Sequence, residues 1–415
     1  MNFDVFEDIK VSNKNILLEK CKAAEKNALI DPFSTFSNAR SALEELCKGL
    51  LKTDKNSRKT LNVMIKECIK KQLFSNKDAA YLIKDNGNAA LHGNKNVNYH
   101  KVVQSNIDKA VKVCSNLYDL MKQVFDNKIK EYPKFDANKI PFGDYEITRR
   151  VPKSDSEIIV GKYNYFTHIS DKEFYYFQIF SKNSKDSRSQ NLSARNELTR
   201  TNIKRDKKRQ SYLLETIVPF ETSEDSDRQY IAYLIYEDSF LLSEYKGRMS
   251  QKQALGIGLD LVKGLLEMKN VLSGIHHRNI QPGCIMITPD GSESYMASLV
   301  NMETSKVNDY EYTVFTAIKG MFRKNPFMPR EVRDYKEGQQ EIDWEKADLY
   351  SVAKVMIYCI APELVKEETD ADDLFDIFSD EMVETFRVIF ESSLDEIYTL
   401  EEFERILENE IDRSC

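Results

Sequence analysis

Hydrophobic positions in the first third of the chain recur at helical spacing. Phe33, Phe36, Ala39, Leu43, Leu46 and Leu50 fall three or four residues apart, as do Leu61, Met64, Ile65, Cys68, Ile69 and Leu73. A third set is Val103, Ile107, Cys114, Leu117, Met121 and Val124. Each set gathers its apolar side chains on one face of an amphipathic helix. Ser75-Asn76-Lys77-Asp78 has the form of a capping box opening a short helix with Tyr81 and Leu82, which Asn86-Gly87 is expected to break. Residues 1–127 are therefore expected to form an all-α bundle. Pro133, Pro141 and a run of charges make 128–142 the expected linker.

The texture then changes. Glu146 to Arg150, Glu157 to Tyr165, Phe174 to Phe180 and Gln229 to Tyr236 are rich in Ile, Val, Tyr and Phe and read as short strands. After Ser250 the period becomes helical again through Leu255, Leu259, Val262, Leu265 and Leu266. Strands followed by helices predict an α+β domain in two lobes, 143–237 and 238–415.

Composition sharpens the picture in a few places. A chain of 415 residues suits roughly two or three domains. With 41% hydrophobic residues it can bury sizeable cores. A net charge of −7 argues against a chain that coats nucleic acid along its length. No apolar run reaches ~18 residues, so no membrane partner is expected. The first eight residues lack a basic and an apolar region, which predicts no secretory leader. The seven cysteines are scattered, with no CxxC pair, as in a reduced cytoplasmic protein, and five histidines with no close Cys/His cluster predict no metal site.

Several strings then fall in a telling order. Ile275-His276-His277-Arg278-Asn279-Ile280-Gln281-Pro282-Gly283-Cys284-Ile285-Met286-Ile287 resembles the catalytic loop of protein kinases, H-R-D-L-K-P-x-N-I-L-I. Leu299-Val300-Asn301-Met302-Glu303 stands where D-F-G would lie, Phe327-Met328-Pro329-Arg330-Glu331-Val332 resembles the end of an activation segment, and Ala347-Asp348-Leu349-Tyr350-Ser351-Val352-Ala353 resembles the start of the long buried helix. Tyr176-Phe177-Gln178-Ile179 occupies the place of V-A-I-K. The resemblance covers about 145–409.

Phosphoryl transfer needs a carboxylate by the substrate hydroxyl, a lysine on the phosphates and oxygen ligands for Mg²⁺. The resemblance puts Asn279 at the carboxylate, Gln281 at the loop lysine, Cys284 and Asn301 at the metal ligands, and Gln178 at the third-strand lysine. No G-x-G-x-x-G stands between Tyr145 and Phe166, where Gly161 is alone. Loss of one such electrostatic group costs ~10²–10³ in rate. The scaffold positions His277, Arg278, Glu331 and Asp348 are kept, whereas the arginine that ordinarily pairs with Glu331 is replaced near Ile397. The resemblance thus implies a pseudokinase without metal-dependent nucleotide binding. No cofactor is expected.

The first domain carries a second resemblance. Asp31-Pro32-Phe33 with Ala39-Arg40-Ser41-Ala42-Leu43-Glu44 is similar to the D-P…A-R-x-A-L-E pattern of a bacterial family in the HEPN-like group. Leu82-Ile83-Lys84-Asp85-Asn86-Gly87-Asn88-Ala89-Ala90-Leu91-His92-Gly93 is similar to that family's I-R-x-x-G-N-x-A-x-H segment. The resemblance implies a helical domain of the kind fused to defence modules, often a dimer and sometimes a metal-independent ribonuclease. Its candidate site is Lys84, Asn88 and His92: a histidine moves a 2′-hydroxyl proton while a cation steadies the phosphate. Lys84 keeps the charge of the family's arginine and loses its planar fork.

The residues themselves leave a structural alternative open. Gly87 and Asn88 form a tight turn into a helix, His92 satisfies a backbone group, and Arg40 with Glu44 forms an i,i+4 ion pair. Two functions follow. One is a kinase-fold sensing or docking module joined to a HEPN-like domain that forms a homodimer or recruits a protein partner, in a bacterial defence or stress pathway. The other is a ribonuclease acting on RNA and regulated by the pseudokinase. Lys204-Arg205-Asp206-Lys207-Lys208-Arg209 reads as a solvated basic face, and Glu367 to Asp380 as an amphipathic surface helix. Gly256-x-Gly258 lies in a helical pattern and is not a phosphate loop.

Overall fold

The computed structural model describes residues 1–53, 59–92, 104–126, 131–152, 157–163, 174–181, 212–214, 216–217, 228–271, 276–291, 294–301, 324–334 and 342–413. The protein is α+β, with helices predominating and small antiparallel sheets. It divides into two compact units. The first comprises Met1–Lys182 and Pro219–Tyr230, the second Asn183–Val218 and Ile231–Cys415. Among the described residues no helix is long and apolar enough to cross a membrane.

The first unit opens with a 3₁₀ turn, Asn2–Phe6, and five helices: α1 (Lys14–Asn27), α2 (Pro32–Leu51), α3 (Leu61–Lys70), α4 (Lys77–His92) and α5 (Gln104–Phe125). Asp31 caps α2 by accepting the Ser34 N–H at 3.0 Å, and Pro32 fills the first helical position, where a missing N–H costs nothing. The α3 pattern runs to Leu73, but the helix stops at Lys70. Gln72 turns left-handed (φ 55°) and the Leu73 N–H reaches back to the Cys68 carbonyl. The apolar faces meet in one core containing Phe36, Leu43, Leu46, Ile65, Leu117 and Tyr118.

Two expectations about α4 are corrected. The cap is Asn76, whose Oδ1 accepts the Ala79 N–H at 3.1 Å; this puts Asp78 one position too early to close a box, and Ser75 is engaged by Gln123 instead. The helix also runs unbroken through Asn86-Gly87. Asn86 bonds back to the Leu82 carbonyl at 2.8 Å, and Gly87 lies where α4 meets α2. A Cβ at Gly87 would stand 2.4 Å from the Arg40 Cβ and 2.9 Å from the Phe36 carbonyl oxygen. Glycine is required there by helix proximity.

Glu25 ties the start of the chain to this bundle. Its fully buried carboxylate accepts the Asn2 backbone N–H at 2.7 Å and the Asn2 side-chain amide at 2.6 Å. Asn2 in turn bonds both the N–H and the carbonyl of Asp136. Residues 131–142, within the expected linker, thus pack on the helices, with Tyr132 and Ile140 buried in their core. Strands β1 (Tyr145–Pro152), β2 (Glu157–Tyr163) and β3 (Phe174–Ser181) follow as an antiparallel meander, β1 on β2 and β2 on β3.

In the second unit, β4 (Thr216–Ile217) pairs with the later part of β5 (Arg228–Ile235). A three-stranded sheet of β6 (Phe240–Leu241), β7 (Ile285–Asp290) and β8 (Ser294–Leu299) lies against α6 (Gln251–Val271). A single turn α7 (Arg330–Arg333), then α8 (Trp344–Ile360), α9 (Asp380–Glu391) and α10 (Leu400–Arg413) complete the unit. Helix α8 is buried on nearly every side and crosses its core. The acidic stretch 367–380 is not the expected amphipathic helix. Asp370 caps a short 3₁₀ turn, Ala371–Leu374, and Ser379 caps α9; residues that bond the backbone ahead of them end one element and start the next.

Two glycine substitutions are expected to act in opposite directions. Gly256→Ala meets open space in the interior of α6 and should stabilise by about 0.5–1 kcal/mol. Gly87→Ala forces α2 and α4 apart and should destabilise by about 1–3 kcal/mol. Urea titration of the two variants checks both signs.

Candidate functional site

The register of β7 and β8 assembles the loop that the kinase resemblance singles out. Ile285 pairs with Leu299, and the Val300 N–H bonds the Cys284 carbonyl at 2.9 Å, so residues 277–284 and 299–301 lie together. Asn279, Cys284 and Asn301 are buried. The Gln281 amide donates to Asn279 Oδ1 at 3.3 Å, and Asn279 Nδ2 faces Cys284 Sγ at 4.0 Å. Asn301 adopts a left-handed conformation (φ 59°), which asparagine tolerates better than most residues, and its Nδ2 donates to the Gly283 carbonyl at 2.6 Å. Four polar residues at the expected catalytic positions thus bond one another or the loop backbone.

Asp348, near the start of α8, anchors this loop. Its carboxylate accepts the His277 N–H at 2.7 Å and the Arg278 N–H at 2.8 Å. Burial pushes its pKa up to about 7, against the pull of those two donors and of Arg278. The His277 ring meets the Val300 carbonyl through Nε2 at 3.0 Å, which assigns the proton to that nitrogen. Arg278 is held at φ 64° with its guanidinium 4.4 Å from the Trp344 ring. Burial brings that group down to about 10, with Asp348 opposing. A left-handed arginine costs roughly 1–2 kcal/mol, which the grip of Asp348 offsets. Glu331 is exposed, and its carboxylate meets the backbone N–H of Leu394 at 3.4 Å.

Gln178 lies on β3 and is buried in the first unit. Met302, Glu303 and the basic run Lys204–Arg209 lie outside the described residues. The donors gathered at 279–301 are amides and a thiol, which do not make a Mg²⁺ site. Among the described residues no three His, Cys, Asp or Glu side chains gather in a metal-binding group.

In the helical unit the three expected site residues all lie on one helix. Lys84, Asn88 and His92 stand one turn apart on α4, about 12 Å from first to last at 1.5 Å per residue. Lys84 pairs with Asp85 at 2.9 Å and lies 4.8 Å from the Tyr81 ring centroid. Asn88 Oδ1 instead accepts from Arg40 Nε at 2.8 Å, bridging α4 to α2. The His92 side chain lies outside the described residues. Arg40 is the member that sequence reasoning assigned elsewhere: its i,i+4 contact with Glu44 is loose, at 3.6 Å, and Asn88 is its closer partner. The signal was Gly87, which marks where the two helices approach.

A groove of about 420 Å³ opens where Gln251, Phe375, Ser379, Glu381 and Arg413 meet, and none of the expected site residues lines it. The surrounding segment, 362–413, carries 19 acidic residues against four basic ones. Such a surface repels phosphate backbones. The chain matches no protein-family model and no curated protein sequence.

Two outcomes follow for the second unit. Asp348→Ala strands two buried N–H groups at ~1–3 kcal/mol each and should destabilise accordingly in urea. Lys354 is fully buried on α8, donating to the Lys366 carbonyl at 3.0 Å and to Thr369. Burial, aided by Arg333, takes its pKa from 10.5 down to about 7. Between those values the folded protein holds fewer protons than the unfolded chain, so stability rises with pH. Lys354→Met should flatten that rise, measured as ΔG of unfolding at pH 7 and pH 10.

Proposed function

We propose that this protein is a non-catalytic sensing or docking module, in which a pseudokinase is joined to a HEPN-like helical domain that serves assembly or recruitment. One observation carries the reading. The positions where a kinase places its acid–base, phosphate-binding and metal-binding groups hold Asn279, Gln281, Cys284 and Asn301, neutral groups that hydrogen-bond one another or the loop backbone. The same loop keeps the holding interaction of Asp348 with the backbone at 277 and 278. The scaffold is maintained where the chemistry is absent, the pattern expected of a fold retained for binding.

A second reading has its own support. Lys84, Asn88 and His92 recur at successive turns of α4, with Arg40 bonded to Asn88. A histidine and a lysine along one helical row, with an arginine on the adjoining helix, suit phosphate contact and proton transfer at a ribose. The strongly acidic 362–413 disfavours RNA contact on that surface.

Two assays divide these readings. Incubated with γ-labelled ATP and Mg²⁺ or Mn²⁺, the full chain should transfer no phosphate to itself or to a generic acceptor; transfer that Asn279→Ala abolishes would overturn the pseudokinase reading. With total RNA in chelator, the module reading expects intact RNA. Cleavage by the wild type that His92→Ala abolishes would make the protein a metal-independent ribonuclease.

A further inference from the structure

We propose that the groove at the start of α9 and the end of α10 docks a basic segment of a partner protein, one in which lysines or arginines flank an apolar side chain. This names the partner's chemistry for the docking role proposed above and rests on that role. The groove belongs to the second unit alone. Its lining comes from residues 375–379, the first turn of α9, the start of α6 and the last turn of α10. At about 420 Å³ it is in the range of clefts that take a ligand's side chains.

Phe375 is the apolar contact. Leu374 and Phe378 enter the core of the unit, whereas Phe375 between them is 46% exposed and lines the groove, as does the half-buried Ile377. A partner's apolar group seated on this ring removes its remaining apolar surface from water, the usual form of an interface anchor.

Charge selects the partner. Residues 367–384 hold nine carboxylates and no cation. Some are already engaged: Asp372 and Glu384 pair with Arg387, and Glu381 pairs with Arg413, which also lines the groove. Asp376 lies in the lining, and Asp380 stands between the lining residues Ser379 and Glu381. Among the described residues neither carboxylate makes an ion pair or a hydrogen bond. A partner bringing cations to this rim is favoured, and one bringing phosphates is repelled. The carboxylates are also spread out: among the described residues no three acidic, histidine or cysteine side chains gather in a metal-binding group. Cations spaced along a polypeptide match that distribution, and a single metal ion does not.

The test titrates the full chain into two fluorescein-labelled peptides of equal charge and reads anisotropy. In one, lysines flank leucines; in the other, serines replace the leucines. The leucine peptide should bind about tenfold tighter, the worth of one buried apolar side chain. Phe375→Ser should bring it down to the level of the serine peptide, and Phe375→Met should restore the difference. Asp376→Lys with Asp380→Lys should weaken both peptides, and so should added salt; this variant carries the test if Phe375→Ser disturbs folding. The proposal is overturned if neither peptide binds, if the two bind alike, or if Phe375→Ser leaves the preference intact. Two rival occupants would also overturn it. Self-association in sedimentation that Phe375→Ser abolishes would assign the groove to a second copy. Peptide binding that emerges only when the cations of Lys204–Arg209 are changed to serine would assign it to that run of this chain. Phosphate transfer in the labelled-ATP assay would overturn the docking reading and leave the peptide result as measured, so the two fail separately.

Discussion

The second unit depends on one buried carboxylate. Asp348 sits on a helix enclosed by apolar side chains and accepts two consecutive backbone N–H groups, those of His277 and Arg278. An ionised carboxylate in such surroundings is costly unless its oxygens are occupied. Here both are, and by backbone rather than by a mobile side chain. The loop is fixed in a conformation it would not adopt alone, with Arg278 in the left-handed region. The rest of the loop follows: the His277 ring reaches Val300, Val300 reaches Cys284, and Asn301 closes on Gly283.

The helical unit solves a comparable problem by different means. Its core is apolar, and its polar anchors lie where elements cross. Glu25 holds the first turn, Asn2 holds the segment near Asp136, and Arg40 bridges to Asn88 beside Gly87. These contacts join residues far apart in sequence and fix the direction in which each element leaves the core. The aromatic group of Phe3, Phe6 and Tyr118 packs over the same place, with ring centroids 5.1–6.3 Å apart. Such tilted and edge-on arrangements suit the ring quadrupole.

Much of this was legible in the sequence where a single physical rule acts. The helical periods around Leu43, Met64 and Leu117 fall in α2, α3 and α5, and the β-rich runs fall within a residue or two of β1, β2, β3 and β5. What was hidden depends on long-range partners. Asn86-Gly87 looks like a break because its local signal is strong, yet the packing of α2 decides otherwise. Asp370 and Ser379 look like parts of one acidic helix because period alone does not show which side chains turn back to cap the backbone. Arg40 was read with its near neighbour Glu44, since the partner at Asn88 lies 48 residues away. At the candidate loop, residue types were readable from the string, but their mutual hydrogen bonds were not.

The span between Asp348 and its donors also bears on how the chain reaches this state. The carboxylate and the amides it holds are separated by 70 and 71 residues. Closing so long a loop carries an entropic cost that no local contact repays. Until closure, Asp348 has no reason to leave water, and its helix cannot seat its buried face around it. Contacts of this separation slow folding. The anchor thus joins the loop before β7 to α8 through a contact of long sequence separation.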